Sequence, residues 1–509
     1  MVLLALLPIA LILVLMLTFR WGASRAGAAG YLLALVLAWR VFGLGPEGLA
    51  YAHTKALLLS LDVLLIVWAA YLLYRVADEA GAIVIFGEML PHLTADRGMQ
   101  ALLIGWAFAS FLQGVGGFGV PVAVVAPLLV GLGFSPLAAV VVPSIGHGWA
   151  VTFGSLGSSF QALLAATGLP EAVLAPPAAL FLALAGMLTG FTVLYAAEGW
   201  SAARRLWRPA LLMGLAMGGT LYLVAGFGPW HIGSFSAGLV GLTVGFFLAR
   251  RHTGAQQVRR ATFDARALAL ALAGYLVLLI IILAVQFIAP WKAFLGRVVL
   301  TASFPEIRTA LGYITPAGTG RRIALFRHTG ALLFYAAVAA YILYARTGRY
   351  RPDALRRILG QTAHKMMASS VGILTMVAMS ILMQHAGMTE AIAQGLARAV
   401  GGAYPLISPW IGALGAFMTG SNTNSNVVFA ALQMRTAELL RCSVPLILAA
   451  QTAGGALGSI IAPTKVIVGA STGGMAGKEG EVMRHLGLFV ALHLLLISLL
   501  AILGLWLGL

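Results

Sequence analysis

The sequence predicts an all-α polytopic membrane protein, with about 12 transmembrane helices and two re-entrant hairpins arranged as an inverted repeat. Three observations lead there. First, 61% of the 509 residues are hydrophobic and only 9% are charged, against roughly 25% charged in a soluble domain. No water-soluble fold of this size covers that much apolar surface. Second, the apolar residues fall in long runs separated by short basic loops, the pattern of spanning helices. The alternating strands of an outer-membrane barrel, about ten residues each, are not seen. Third, two of the long runs are interrupted near their middles by Gly and polar clusters. Polar, Gly-rich backbone at membrane depth is tolerated only where it is buried in protein or lines a cavity.

The elements follow in order. Residues 1–26 hold an N-terminal span, Val2–Phe19, which lacks a basic leader and an Ala-x-Ala site and is expected to be retained rather than cleaved. Residues 27–200 form the first repeat. It contains spans Gly27–Leu44 and Ala56–Tyr74, an amphipathic stretch Ala80–Leu93, a hairpin over 99–134, and spans Pro136–Leu156 and Ala172–Ala197. Residues 201–328 supply the linking spans Pro209–Phe227, Gly233–Ala249 and Ala267–Ile288, then an amphipathic segment. Residues 329–509 form the second repeat: Thr329–Ala345, Thr362–Met383, amphipathic Gly387–Val400, a hairpin over 404–434, Cys442–Ile460 and Leu486–Leu507. A shift of 306 positions (420 − 114) lays Gly114 on Gly420, Phe111 on Phe417, Gly148 on Gly454 and Gly168 on Gly474. The order of elements matches as well. Three extra spans lie between the copies, an odd number, so the copies are expected to point in opposite directions.

Basic loops set the orientation. Arg20 and Arg25, then Arg204, Arg205 and Arg208, then Arg250, Arg251, Arg259 and Arg260, then Arg346, Arg349, Arg351, Arg356 and Arg357 mark the cytoplasmic side. Both termini then lie outside. The segment Pro290–His328 resists this scheme, with Lys292, Arg297, Arg308, Arg321, Arg322 and Arg327 against Glu306 alone. A re-entrant segment and an oligomer contact are both open readings of it. The net charge of +17 does not indicate a nucleic-acid partner, because the basic residues are dispersed over loops and no RNA-binding motif accompanies them. The lipid bilayer accounts for them. Cys442 is the only cysteine, which excludes an intrachain disulfide and a cysteine metal site. Neither a metal nor a cofactor is expected.

The first interruption is Gln113-Gly114-Val115-Gly116-Gly117-Phe118-Gly119; the second is Thr419-Gly420-Ser421-Asn422-Thr423-Asn424-Ser425-Asn426. Hairpin tips present half-helix N-termini, whose unpaired N–H groups and dipole hold an anion away from water. Glycines let backbone approach a ligand, and the Ser, Thr and Asn side chains supply neutral donors and acceptors. These residues point to a small organic anion as ligand; capping of broken helices is the competing reading. Each hairpin is followed by a second interrupted element. In the first copy it is Pro143-Ser144-Ile145-Gly146-His147-Gly148, then Gly154-Ser155-Leu156-Gly157-Ser158-Ser159. In the second it is Gln451-Thr452-Ala453-Gly454-Gly455, then Ala462-Pro463-Thr464-Lys465. Candidate binding residues are therefore Gln113, Gly114, Gly117, Gly119, His147, Ser421, Asn422, Thr423, Asn424, Asn426, Gln451, Thr464 and Lys465. Lys465 either pairs with a carboxylate or snorkels to an interface. His147 either titrates during transport or packs as a hydrogen-bonded histidine. Asp62, mid-span, is a coupling candidate or a scaffold counter-ion, and its place outside the hairpin core favours the scaffold. A membrane-embedded enzyme would need clustered acids or an activated nucleophile; the 15 acidic residues lie mostly in loops. A channel is disfavoured by paired broken elements, which suit alternating access.

At these residues a family becomes recognisable. The string from Gly114 to Ala123 followed by Leu128-Leu129-Val130-Gly131-Leu132-Gly133-Phe134 resembles the first hairpin of the L-lactate permease family. The string Thr419–Asn426 with Phe429-Ala430-Ala431-Leu432-Gln433 resembles its second. Thr452-Ala453-Gly454-Gly455, Ile461-Ala462-Pro463 and Gly477-Lys478-Glu479 continue the match over most of the chain. The resemblance implies proton-linked uptake of lactate or glycolate across the cell inner membrane. A more distant similarity to the ion-transporter superfamily implies a rigid transport block moving against a scaffold, in a homodimer. The family usually has Glu where this chain has Gln113, and Asp where it has Asn422. Amides cannot titrate, so the expectation for this chain is weak proton coupling centred on His147; the alternative is a sodium-coupled or uncoupled carrier of another small carboxylate or sulfonate.

Overall fold

The computed structural model describes residues 1–19, 21–89, 93–117, 119–252, 265–319 and 322–508. Arg20, Phe118, Arg259, Arg260 and Arg321 of the sequence reading lie outside the described residues. The chain is almost wholly helical, because helices satisfy every backbone donor and acceptor internally where no water is at hand.

The first part of the chain runs α1 (Val2–Leu17), α2 (Ala23–Arg40), the long α3 (Pro46–Glu79) and the short α4 (Ala82–Met89). Pro46 opens α3 at a first-turn position where its missing N–H costs nothing. The first hairpin begins with α5 (Arg97–Gln100), capped by Asp96, whose carboxylate accepts from the Met99 N–H at 3.0 Å. The rod continues without a break through a π-helical stretch, Ala101–Phe108, into α6 (Ala109–Val115), and it is buried from Gly98 onward. The chain reverses over Gly116–Gly119, where Gly117 (φ +58°) and Gly119 (φ +88°) take left-handed conformations, and returns as α7 (Val120–Gly131).

Next come α8 (Pro136–Gly148), α9 (Ser158–Thr167) and α10 (Glu171–Glu198). The expected span Pro136–Leu156 is thus corrected. Its helix ends at Gly148, and Ser155 (φ 47°), Leu156 (φ 51°) and Gly157 (φ 83°) are successively left-handed. A right-handed helix cannot pass through such residues. Then follow α11 (Trp200–Arg205), α12 (Trp207–Phe227), α13 (Gly233–His252), α14 (Ala265–Phe287) and α15 (Ala289–Leu295), the last bent by 92° from the helix before it.

The puzzling segment 290–328 proves to be an extended β excursion in an otherwise helical protein. Strands β1 (Val299–Leu300), β2 (Ser303–Phe304), β3 (Ile307–Arg308), β4 (Ile314–Thr315), β5 (Gly318–Thr319) and β6 (Ile323–Ala324) pair antiparallel as β1–β6, β2–β5 and β3–β4, the nested order of one long hairpin. It lies over the α2–α3 connection, where the Ala310 N–H donates to Gly43 O at 2.8 Å and Phe304 meets Tyr51 edge to face.

The remaining helices are α16 (Thr329–Arg346), α17 (Ala354–His385), α18 (Met388–Val400), α19 (Tyr404–Thr419), α20 (Asn422–Leu439), α21 (Val444–Gly458), α22 (Pro463–Thr472) and α23 (Glu479–Trp506). Among the described residues nine helices are long and apolar enough to cross a membrane, ten with the bent pair. One of the nine is Arg97–Val115, the hairpin's first arm. The expected spans Val2–Phe19, Gly27–Leu44 and Pro136–Leu156 fall outside that set, being short, less apolar or broken.

Two helix crossings fix the hairpins. A Cβ on Gly146 of α8 would meet Gly105 O, and one on Gly454 of α21 would meet Pro409 O of α19, both far inside contact distance. Only glycine permits these backbones to touch. The first hairpin is also clasped by α13, where Gly238 abuts the Phe111 backbone. On the other side, α3 and α17 pack along their length, and Trp68 Nε1 donates to Ser370 Oγ at 2.9 Å.

Candidate functional site

The hairpin tips and the broken elements converge on one cavity of 360 Å3. Four helix N-termini open on it: α7 at Gly119, α9 at Ser158 and Ser159, α20 at Ser421–Asn424, and α22 at Thr464 and Lys465. The N-caps of α7, α9 and α22 make no side-chain hydrogen bond. The N–H groups of Val120, Ser158, Phe160 and Lys465 are taken by the carbonyls of Gly117, Ser155, Thr152 and Ala462, so what these ends offer a ligand is the positive end of each helix dipole and the N–H groups of Ser159 and Thr464. Ser421 caps α20, its Oγ accepting from the Asn424 N–H at 3.3 Å. Two lysines, Lys465 and Lys365, complete the wall, and no acidic side chain is among its described lining residues.

The second tip is knitted to the first repeat's break. Asn422 Nδ2 donates to Thr152 Oγ1 (3.1 Å) and to Thr452 O (3.2 Å). Thr423 Oγ1 and Ser159 Oγ share a hydrogen bond of 3.1 Å. Asn426 Nδ2 donates to Ser159 O and to Thr452 Oγ1, each at 2.9 Å. Lys465 Nζ donates to Ser459 Oγ at 2.9 Å, which holds the ammonium against the break instead of at an interface. Four amide oxygens, Gln113 Oε1, Asn422 Oδ1, Asn424 Oδ1 and Asn426 Oδ1, are buried without a donor among the described residues. A buried acceptor left unmatched costs about 1–3 kcal/mol. Asn422 Oδ1 faces Gly455 of α21 and Asn426 lies behind the cavity, so Gln113 and Asn424 are the lining residues whose unmatched oxygens suit a ligand with donors.

Of the residues singled out from the sequence, the cavity brings together Gln113, Gly119, Ser421, Asn422, Thr423, Asn424, Thr464 and Lys465. The others stand behind it. Gly114 is pressed against the Phe235 backbone, Gly117 against Ser155, and Gln451 is bound to Gln433 and Ser425. Asn426 supports Ser159 and Thr452 from below. His147 is buried in the last turn of α8, where its Nδ1–H donates to Pro143 O at 2.7 Å and Nε2 has no partner among the described residues. Asp62 lies outside the cavity, at 1% exposure. Its carboxylate accepts from Gln161 Nε2 (2.6 Å) and from His328 Nε2 (2.9 Å). The Gly330 N–H donates to His328 Nδ1 at 3.2 Å, which assigns the ring proton to Nε2. The arrangement ties α3 and α16 to α9, as a scaffold counter-ion would.

Sequence reasoning missed Lys365, Ser369 and Ser24, all lining. The signal was a polar stripe at four-residue spacing, Lys365–Ser369, entering an apolar span from its end. Ser155, Ser158 and Ser159 stood in the interrupted element but were not assigned to the site, and they line it too.

A helical membrane protein built around a central polar cavity with cationic walls belongs to the transporter class. This chain is a member of the L-lactate permease family, whose sequence profile matches residues 1–507. It is similar to the glycolate permease GlcA of Escherichia coli (strain K12), with 26% identity covering 95% of this chain and 92% of the relative. The L-lactate permease of Salmonella typhimurium is 27% identical over 82% of this chain and 80% of its own. That of Bacillus subtilis (strain 168) is 26% identical over 91% and 89%. The protein is accordingly a multi-pass transporter of the inner membrane and not an enzyme.

Proposed function

We propose that the protein is a secondary active carrier of a small 2-hydroxy monocarboxylate of the L-lactate or glycolate kind, working by alternating access. One observation carries this reading: four helix N-termini and two lysines face a single cavity whose described wall holds no acid. A carboxylate removed from water needs compensating charge and N–H donors, and here both are in place before it arrives. The substrate's 2-hydroxyl is a donor, and the lining side chains of Ser421, Thr423 and Asn424 carry acceptor oxygens for it. The names of the relatives, lactate and glycolate permeases, agree with that chemistry.

The two copies are inverted repeats on this reading. Both contain the same succession of two long helices, a short one, a hairpin, a broken element and a final long helix, and the two copies' longest helices, α3 and α17, pack antiparallel. With the broken pairs α8–α9 and α21–α22 each counted as one crossing, the chain crosses twelve times. A scaffold containing α2, α3, α16 and α17 then stands against a transport block containing the hairpins, and homodimerisation through the scaffold follows from the family resemblance.

Proton symport is the coupling proposed, with His147 Nε2 as the group that takes up the proton behind the cavity. A sodium-coupled carrier is the second reading. It is favoured by the same four amide oxygens, which suit a hard cation. The measurement is uptake of radiolabelled L-lactate into proteoliposomes under an imposed pH gradient, a sodium gradient or none, with glycolate, pyruvate and succinate as competitors. Lactate and glycolate should compete and succinate should not. A pH gradient should drive accumulation that His147→Gln abolishes and that Gln113→Glu with Asn422→Asp strengthens. Accumulation driven by sodium alone would replace the proton with sodium, and proton-driven accumulation surviving His147→Gln would remove the histidine from the mechanism.

A further inference from the structure

A second cavity, of 880 Å3, lies beyond the wall of the first, lined by the β excursion and by the ends of α3, α9 and α17. Two stripes at helical spacing lead from one cavity to the other. On α3, Lys55 and Leu59 line the second cavity, Val63 the ground between, and Val67 the first. On α17 the order is reversed: Gln384 and Ile381 line the second cavity, Val377 the ground between, and Ile373, Ser369 and Lys365 the first. Each long helix therefore carries a lysine at one end of its stripe, and the two lysines belong to opposite cavities.

The ground between is closed. Leu59, Val63, Ala162, Val377, Ile381 and Val427 are each at most 7% exposed and form part of one apolar cluster. The void they leave, lined also by Ser380 and Gln384, whose Nε2 donates to Ser380 Oγ at 3.3 Å, is 10 Å3, about the size of one water at most. A collar of this kind blocks ions by keeping water out.

Lys55 is half-buried, and no hydrogen bond or ion pair involves it among the described residues. Arg322 stands at the rim, exposed. The one acidic residue among the described residues of this wall, Glu171, accepts from Trp230 Nε1 at 2.7 Å. His385, near Lys55, shares a 3.3 Å hydrogen bond with Thr315 Oγ1. A half-buried ammonium without a counter-ion, in a concave wall, concentrates small anions.

We infer that this second cavity is a carboxylate-capturing vestibule. Lys55, with Arg322 at its rim, draws the anion in, and the apolar collar parts to pass it to the hairpin site. This rests on the carrier reading and adds to it a second anion site, on the side of the membrane opposite Lys365. By the basic-loop rule that side is external. Whole cells producing the full chain are assayed for uptake of radiolabelled L-lactate. Lys55→Gln should raise the KM for uptake about tenfold, the loss expected for one charge contact of moderate strength, with Vmax little changed. Lys55→Arg should restore most of it, and Arg322→Gln should have a smaller effect in the same direction. Raised ionic strength should weaken wild-type uptake more than that of Lys55→Gln. An unchanged KM in Lys55→Gln, or a loss in Lys55→Arg equal to it, overturns the vestibule while leaving the carrier intact. A readout independent of transport uses the single cysteine: in a Cys442→Ser background, Lys55→Cys should react with a membrane-impermeant maleimide added outside and Val63→Cys should not. Failure of the first to react, or equal reaction of both, refutes the inference even if lactate itself is not carried. Labelling of the cysteine variants as expected, together with wild-type protein that moves neither lactate nor glycolate, would sink the carrier reading instead.

Discussion

The two hairpins occupy equivalent places in the chain but are built from different materials. The first has an arm buried from Gly98 to Val115, partly π-helical, clasped by α13, and its tip is glycine-rich backbone with Gln113 as its one polar side chain. The second has an arm that leaves Leu406, Trp410 and Leu414 about 40% exposed, and its tip is a run of Ser, Thr and Asn, of which Asn422, Thr423, Ser425 and Asn426 are fixed by side-chain hydrogen bonds and Ser421 by capping, while Asn424 Oδ1 has no donor among the described residues. Close approach to an anion needs backbone without Cβ atoms. Orientation of an anion needs directed side-chain donors. One tip cannot do both well, because side chains occupy the space that close approach requires. The division gives a rigid floor on one side and a set of selecting groups on the other.

The largest effect should come from the two glycines on which the hairpin arms pack, Gly146 of α8 under the first and Gly454 of α21 under the second. Gly146→Leu and Gly454→Leu place a side chain on a backbone carbonyl that cannot retreat. Each should cost more than about 3 kcal/mol, the upper end for overpacking, and leave no monodisperse protein in detergent. The alanine versions should lower the unfolding midpoint, Gly146→Ala at least as much as Gly454→Ala, since the first arm is the more enclosed. The opposite ranking would break the contrast between a rigid and a more yielding hairpin.

Next in size are the tips themselves. Thr423→Ala and Asn424→Ala each remove a group set to meet a charged ligand, and lactate affinity measured by calorimetry should fall by about 1.5–3 kcal/mol, roughly ten- to a hundredfold. Gln113→Ala should lose only about 0.5–1.5 kcal/mol, because the first tip acts mainly through backbone. Equal losses at the two tips would mean that the labour is not divided.

The smallest effect concerns the break beside the first tip. Ser155 holds a left-handed conformation at φ 47°, which costs a residue with a Cβ about 1–2 kcal/mol. Ser155→Gly should therefore raise stability by about 1 kcal/mol, seen as a modest rise in midpoint temperature. A fall would show that the Ser155 hydroxyl, which lines the cavity, contributes more than the strain it imposes.

Much of this was legible in the residues. The helical class followed from composition, and the two interruptions fell where the chain reverses. The broken elements after each hairpin were marked by Pro143, Gly148, Gly157 and Pro463. The end of the first broken element's helix at Gly148, well before Leu156, was not legible, because apolar content continues across residues 149–153 while the backbone turns left-handed only at 155–157. The β excursion at 299–324 was opaque for another reason: its strands are two residues long, too short for an alternating pattern to show.

The sequence by itself determined that this protein lives in a membrane, that its chain is interrupted twice by polar, Gly-rich tips, and that it belongs among the lactate permeases. Those properties are local or compositional: apolar length, glycine placement and motif strings do not depend on what packs against them. Only the tertiary structure decided which of the polar residues share a cavity. It set His147, Asn426, Gln451 and Asp62 behind the wall and brought Lys365 and Ser369 of α17 into it. It also placed Lys55 and Lys365 in separate cavities on either side of an apolar collar. Burial of a side chain is settled by helices hundreds of residues away in the chain, and no window of sequence contains that information.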